Sequence, residues 1–272
     1  MDLSLVIPVY NSDELLDKLV NNIIDSLNSN TSIKTYEILL IDDKSLDESW
    51  KKIKSLSNKF DVIKGIKLRD NFGQHNAIMC GLNECSGKYI ITMDDDLQHH
   101  PTSIQKLLQE LDKGNDVCYT KYLNRQHALW KKFVSWLNNI VSSYLLNKPF
   151  NIYMSSYRAF VKSVANEIIK YKGSRIYIDG LILKATNKIS IIPVQHYKRE
   201  KGESNYTFIK LISLWSDMAT TFPYKPLRPA TLVRIIIFTN ILLFRKFLSI
   251  FKTQKNEQFI IEEKTYSNIN NV

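Results

Sequence analysis

The chain is 272 residues long, 44% hydrophobic and 24% charged, values of a globular protein with ample core for one large domain, alone or with an appendage. Its formal charge of +10 points to an anionic partner: nucleic acid, an anionic membrane surface or a phosphorylated substrate. No zinc-finger, homeodomain or RNA-recognition pattern is present, which argues against nucleic acid, and Cys80, Cys85 and Cys118 fit no metal spacing. Those cysteines lie beside apolar segments and read as buried thiols of a reducing compartment. The N-terminal residues lack the basic stretch and long apolar run of a signal peptide, so the expected setting of the catalytic face is cytosolic.

Leu3-Ser4-Leu5-Val6-Ile7-Pro8 reads as a short buried strand with Pro8 at its exit. Val9–Ser12 is the turn that follows, and Asn11 or Ser12 can cap the next helix, where Leu15, Leu16, Leu19, Ile23 and Leu27 recur at helical spacing. Tyr36–Ile41 is a second buried strand and runs into Asp42 and Asp43. Trp50, Ile53 and Leu56 mark a helix, Val62–Leu68 a third strand, and Ala77, Ile78, Gly81 and Leu82 another helix, entered through Asn71-Phe72-Gly73-Gln74. Ile90–Met93 is the fourth strand and ends on Asp94-Asp95-Asp96-Leu97-Gln98.

Strands alternating with helices through short loops imply βαβ units and a mostly parallel α/β sheet flanked by helices. Such sheets bind ligands beyond the C-terminal ends of their strands. Here those ends carry Pro8-Val9-Tyr10, Asp42-Asp43 and the aspartate triplet, so three separated stretches meet in one crevice. Neither a Gly-rich dinucleotide fingerprint nor a Walker loop is present. Phosphate must then be held by side chains and by a divalent cation, for which carboxylate and amide oxygens are suitable hard ligands. Acidic loops are also common as simple solvated turns, and an Asx turn would account for Asp42 or Asp43.

Val6–Asn11, Ile41–Asp47 and Asp94–Gln98 resemble the three recurrent blocks of family 2 glycosyltransferases of the GT-A (Rossmann-like) fold. Asn71-Phe72-Gly73-Gln74-His75-Asn76-Ala77 is similar to the branch that transfers sugars onto polyprenyl phosphates. Met154–Phe160, Val194–Tyr206 and Phe222–Arg228 resemble later blocks of the same branch, so the likeness covers roughly residues 3–229. Three positions depart from the family pattern: Ser12 stands where a Glu is usual, Asp70 where an Arg is common, and His100 where the first of two prolines is found.

The resemblance implies inverting, metal-dependent transfer from a nucleoside diphosphate sugar to a polyprenyl (undecaprenyl) phosphate, serving cell-envelope glycan or lipid modification. It places Asp94, Asp96 and Gln98 around Mg²⁺ or Mn²⁺, with Asp96 the direct catalytic contact and Asp95 turned away. Asp42 or Asp43 would accept a hydrogen bond from the base, with Pro8 and Tyr10 as the wall of that pocket. Arg125, Arg158, Arg199 and Ser204 are the residues expected to hold phosphate oxygens, arginine being suited by its planar fork. A polyprenyl phosphate is already ionised at pH 7 and needs no general base. Transfer to a sugar hydroxyl of a growing polysaccharide would need one, and Asp179 is the carboxylate in the relevant region, although it also reads as a helix cap. A non-catalytic nucleotide-sugar or membrane-binding module is the remaining reading.

Residues 128–147 show apolar spacing of a helix that suits either a membrane interface or an ordinary core. Relatives often continue into two transmembrane helices. Ile235–Phe244 is only about half of a spanning length, and 230–252 reads instead as a basic amphipathic segment for an anionic leaflet. Residues 253–272 are polar and expected to be a disordered tail. The expected organisation is thus a GT-A domain over 1–229, a peripheral or monotopic membrane segment and a tail, with assembly into a homo-oligomer left open.

Overall fold

All seven residues of Leu3–Val9 are buried, and this apolar run forms the central strand β1. The chain is described here from a computed structural model covering residues 1–29, 33–122, 142–143, 146, 148–149, 152–174, 176–195 and 257–266. After β1 come α1 (Leu16–Asn28), β2 (Tyr36–Asp42), α2 (Ser49–Lys59), β3 (Ile63–Leu68), α3 (Gln74–Glu84), β4 (Tyr89–Thr92), α4 (Ile104–Asp112) and β5 (Val117–Tyr122). Then follow β6 (Arg158–Val161), α5 (Lys162–Ile168), α6 (Ile178–Ala185), β7 (Ile189–Val194) and β8 (Ile261–Lys264).

The strands form one sheet in the order β7-β5-β6-β4-β1-β2-β3-β8. β1 pairs in parallel with β2 and β4, β2 with β3, and β5 with β7, whereas β6 and β8 run antiparallel to their neighbours. The expected mostly parallel sheet is therefore present. Side chains alternate across it: Leu3, Leu5, Ile7 and Val9 join α1, α2 and α4 on one face, while Val6 joins α3, α5 and α6 on the other. On the second face α3 lies so close to β1 that a methyl at Gly81 would stand 2.3 Å from Val6 Cγ1.

Two expectations about local structure change. Helix α1 begins without a side-chain cap, because Asn11 and Ser12 bond to other loops instead. The tail expected to be disordered contains β8, laid antiparallel along β3. Its polar composition hides three residues, Phe259, Ile261 and Tyr266, that pack on the core, and Thr265 Oγ1 accepts from Gly65 N at 2.9 Å. The amphipathic segment at 230–252, and all but a few residues of the 128–147 stretch, lie outside the described residues. Among the described residues no helix is long and apolar enough to cross a membrane.

At the sheet edge where β1 and β2 begin, Glu37 is 1% exposed and fully engaged. It accepts from Ser4 Oγ (2.5 Å), Ser86 N (2.7 Å), Ser86 Oγ (2.8 Å) and Lys64 Nζ (2.6 Å). One carboxylate thus joins β1, β2, β3 and the turn before β4. Burial by itself would push the Glu37 carboxyl up, but the Lys64 ammonium and the serine and backbone donors outweigh it and hold it below its ordinary value of 4.5. A group bound more weakly to its proton when folded stabilises the fold at neutral pH and loses that effect as pH falls. Glu37→Gln should lower stability in urea by about 2 kcal/mol at pH 7, and the gap to the parent protein should narrow as pH drops below 4.5.

Candidate active site

The loops after the first four parallel strands share one backbone feature. Each contains a residue in the left-handed region: Asn11 (φ 54°), Lys44 (φ 62°), Gly73 (φ 92°) and Leu97 (φ 59°). For a non-glycine residue this conformation is strained, and it turns the chain sharply just past the strand end. The first two loops hold each other in place. Asn11 N donates to Ser45 Oγ (3.0 Å), Leu46 N to Asn11 Oδ1 (2.8 Å), Ser12 N to Ser49 Oγ (2.9 Å) and Asp13 N to Asp47 Oδ2 (3.2 Å).

In the aspartate triplet, neighbouring carboxylates face opposite ways. Asp94 Oδ1 accepts from Gln74 Nε2 at 2.6 Å and its Oδ2 from Ser156 Oγ at 2.5 Å. Asp95 turns to the β1 loop, where its Oδ2 accepts from Ser12 Oγ (2.5 Å) and Tyr10 N (3.2 Å). It thereby takes up Ser12, the position at which a carboxylate was expected. Burial pushes Asp95 up to about 6 against those two hydrogen bonds, with Asp94 and Asp96 adding to the rise. Asp96 is 8% exposed and accepts at Oδ1 from Gln98 N at 3.1 Å, a turn made possible by the left-handed Leu97 between them. Behind the triplet, His99 Nδ1 accepts from Asp94 N (3.4 Å), and its ring stacks on Tyr122 and Tyr157.

Asp42 and Asp43 divide in the same way. Both oxygens of Asp43 are taken by the entry to α3, from Phe72 N (2.7 Å) and Gly73 N (2.8 Å). Asp43 thereby holds the Asn71–Gln74 turn. Asp42 accepts at Oδ1 from Ser45 N (3.3 Å), and among the described residues its buried Oδ2 has no hydrogen-bond partner. Burial raises its carboxyl above the ordinary value, against the Ser45 hydrogen bonds. Pro8 is buried within β1, whereas Tyr10, two residues on, is 44% exposed.

Arg158 is 1% exposed, and its Nη1 is ion-paired with Asp179 Oδ1. Tyr119 Oη donates to the same Asp179 oxygen at 2.8 Å, and the guanidinium lies 5.9 Å from the Tyr119 ring centre. Asp179 lies in the first turn of α6, whose N-cap residue Tyr177 makes no side-chain capping hydrogen bond. Asp179 is a buried counter-ion linking β5, β6 and α6. Burial pushes the nearby His75 imidazole down to about 4, Asp179 opposing and Arg158 reinforcing, so it is neutral at pH 7. Arg125, Arg199 and Ser204 lie outside the described residues.

Gln74 and Ser156 are site residues that sequence reasoning did not single out. Both sat inside blocks read for their family likeness, and neither has a chemistry that composition would flag. With them in place, Asp94, Asp96 and Gln98 offer two carboxylates and an amide within one five-residue stretch past a strand end, a hard donor set that suits Mg²⁺ or Mn²⁺. Among the described residues no three His, Cys, Asp or Glu side chains form a metal cage, so an ion here would take two carboxylates, the amide and donor phosphate oxygens.

A family profile described as Glycosyl transferase family 2 matches residues 4–169. The undecaprenyl-phosphate 4-deoxy-4-formamido-L-arabinose transferases of Salmonella choleraesuis and Salmonella typhimurium are each 36% identical over 235 residues, 86% of this chain and 71% of theirs. Among solved structures, Staphylococcus aureus TarS residues 1–349 with UDP-GlcNAc aligns over 85% of this chain and 69% of that one, at TM-score 0.55 and 21% identity. Glucosyl-3-phosphoglycerate synthase from Mycobacterium tuberculosis, solved with Mn²⁺, UDP and glucosyl-3-phosphoglycerate, aligns over 83% and 81%, at TM-score 0.57 and 14% identity. With the profile spanning more than half of the sequence and the sheet, loops and carboxylates arranged as described, the chain belongs to glycosyl transferase family 2 and is a glycosyltransferase of the GT-A fold.

Proposed function

We propose that this enzyme transfers a sugar from a nucleoside diphosphate sugar to undecaprenyl phosphate or a similar polyprenyl phosphate, with Mg²⁺ or Mn²⁺, at the cytoplasmic face of a membrane. The observation that carries the donor side is the pairing, on one sheet edge, of the buried Asp42 oxygen with the Asp94–Asp96–Gln98 donor set. The acceptor is supported by the 36% identity to undecaprenyl-phosphate transferases over 86% of the chain.

In this reading Asp42 Oδ2 accepts a base N–H, Tyr10 lies beside the base, and Asp94, Asp96 and Gln98 hold the ion that neutralises the departing diphosphate. Gln74 and Ser156 keep Asp94 aimed. The acceptor phosphate oxygen is already anionic. It forms its bond to the anomeric carbon as the bond to the nucleoside diphosphate breaks, which inverts that centre, and the protein has only to hold the oxygen in line. Arg125, Arg199 and Ser204 are assigned that holding role, and Arg158 a supporting one. The catalytic domain is assigned to residues 1–229, and the basic stretch at 230–252 to contact with an anionic leaflet.

A sugar-hydroxyl acceptor is disfavoured by one observation. Asp179, the carboxylate that would serve as its base, is ion-paired with Arg158 and accepts from Tyr119 Oη. Burial and the neighbouring Asp179 raise the Tyr119 hydroxyl well above its ordinary range, so it stays a donor to that oxygen.

Purified protein with undecaprenyl phosphate, Mn²⁺ and a panel of nucleotide sugars should give a lipid-linked product detectable by mass spectrometry. Product on a sugar hydroxyl, or none on lipid, would overturn the acceptor assignment. Asp96→Asn should lower kcat/KM by at least about a hundredfold, the equivalent of several kcal/mol of lost charge stabilisation. Arg158→Ala should destabilise the fold by about 3–5 kcal/mol, because it leaves Asp179 buried without its partner. A thermal melt separates that loss from a defect in acceptor KM.

A further inference from the structure

β8 is more than a cover for the open edge of β3. An edge cover requires only the ladder from Ile66↔Lys264 to Leu68↔Ile261. The residues leading into it make polar bonds that belong to no ladder. Arg69 N donates to Ile260 O at 2.8 Å, and Asn76 Nδ2 donates to Gln258 O. Gln258 Nε2 in turn donates to Tyr171 O (2.7 Å) and Gly173 O (3.0 Å), in the loop that leads to α6. A residue 182 positions along the chain thus joins the first turn of α3 to the approach to α6.

What lies between those anchor points is the donor side of the site. The Asn71–Gln74 turn supplies Phe72 N and Gly73 N to Asp43, and Gln74 Nε2 to Asp94. Phe72 of this turn packs on the core, whereas a side-chain carbon at the left-handed Gly73 would meet nothing within 4 Å. Asn76 bonds Gly73 O through its own N–H at 3.0 Å and Gln258 O through its side chain, so it links the turn to β8. The same strand reaches the β2 loop, where Glu262 Oε2 lies 3.5 Å from the Nζ of left-handed Lys44.

We propose that Asn76 and Gln258 are positioning residues for the donor and metal site, through which the C-terminal strand holds Gln74 against Asp94. This rests on the donor-site reading above. The consequence is that donor and metal affinity depend on residues 258–260, far from the motif blocks in sequence.

The full-length protein and its Asn76→Ala, Gln258→Ala and Glu84→Gln variants would be compared for the Mn²⁺ midpoint of transfer, donor KM, kcat, melting temperature and amide exchange of residues 71–77. Glu84→Gln is the control, since Glu84 anchors Lys264 (2.6 Å) and Tyr266 (3.0 Å) at the other end of β8. Losing one or two such hydrogen bonds should raise the Mn²⁺ midpoint and donor KM about three- to tenfold in Asn76→Ala and Gln258→Ala. Exchange across 71–77 should quicken and kcat should stay near that of the parent. Glu84→Gln should lower the melting temperature alone. Unchanged exchange in 71–77, quicker exchange with an unchanged metal midpoint, or an equal shift in the control would each overturn the proposal. If the parent protein shows no metal-dependent transfer from any donor, the donor-site reading itself fails, and this inference with it.

Discussion

A parallel sheet covered by helices on both faces can carry charge only at the two ends of its strands, and that constraint organises this protein. Both ends hold carboxylates, but in opposite conditions. At the N-terminal edge both Glu37 oxygens accept, Oε1 from serine and backbone donors and Oε2 from the Lys64 ammonium, and its work is structural. At the C-terminal edge Asp42 keeps a buried oxygen without a partner among the described residues, and Asp96 accepts from the backbone N–H of Gln98. The two edges thus differ in how their carboxylates are engaged, and the buried Asp42 oxygen lies at the edge that carries the aspartate triplet.

Within the C-terminal edge, adjacent acids have separate duties. Asp43 and Asp95 spend their charge on backbone and hydroxyl donors of neighbouring loops. Asp42, Asp94 and Asp96 have other partners: Ser45, Gln74 with Ser156, and Gln98. The separation follows from extended backbone just past a strand end, where successive side chains point to opposite sides. It also explains how several like charges are accommodated in so small a space: each structural acid is neutralised by donors on a different loop, so the loops and the acids hold one another.

Arg158 and Asp179 extend the same logic to the second half of the chain. A guanidinium buried to this degree requires a counter-ion, and Asp179 with Tyr119 provides one that spans β5, β6 and α6. The block containing Arg158 gives no local sign of this partner, which lies 21 residues further along the chain.

Much of the fold was legible in the linear order of residues. Apolar runs of strand length, helices at 3.6-residue spacing and acids at strand exits are local patterns, and they placed the first four strands, the sheet type and the Asp94–Gln98 edge. The family likeness was carried by blocks of the same local kind. What tertiary structure alone decided was the partner of each polar group. Asp43 meets Phe72 and Gly73 across 29 and 30 residues, Asp95 meets Ser12 across 83, and Gln258 meets Asn76 across 182. A carboxylate has the same sequence signature whether its hydrogen bonds go to a ligand or to a distant loop. Only folding, which sets those distances, separates the acids that build the site from the acids that serve it.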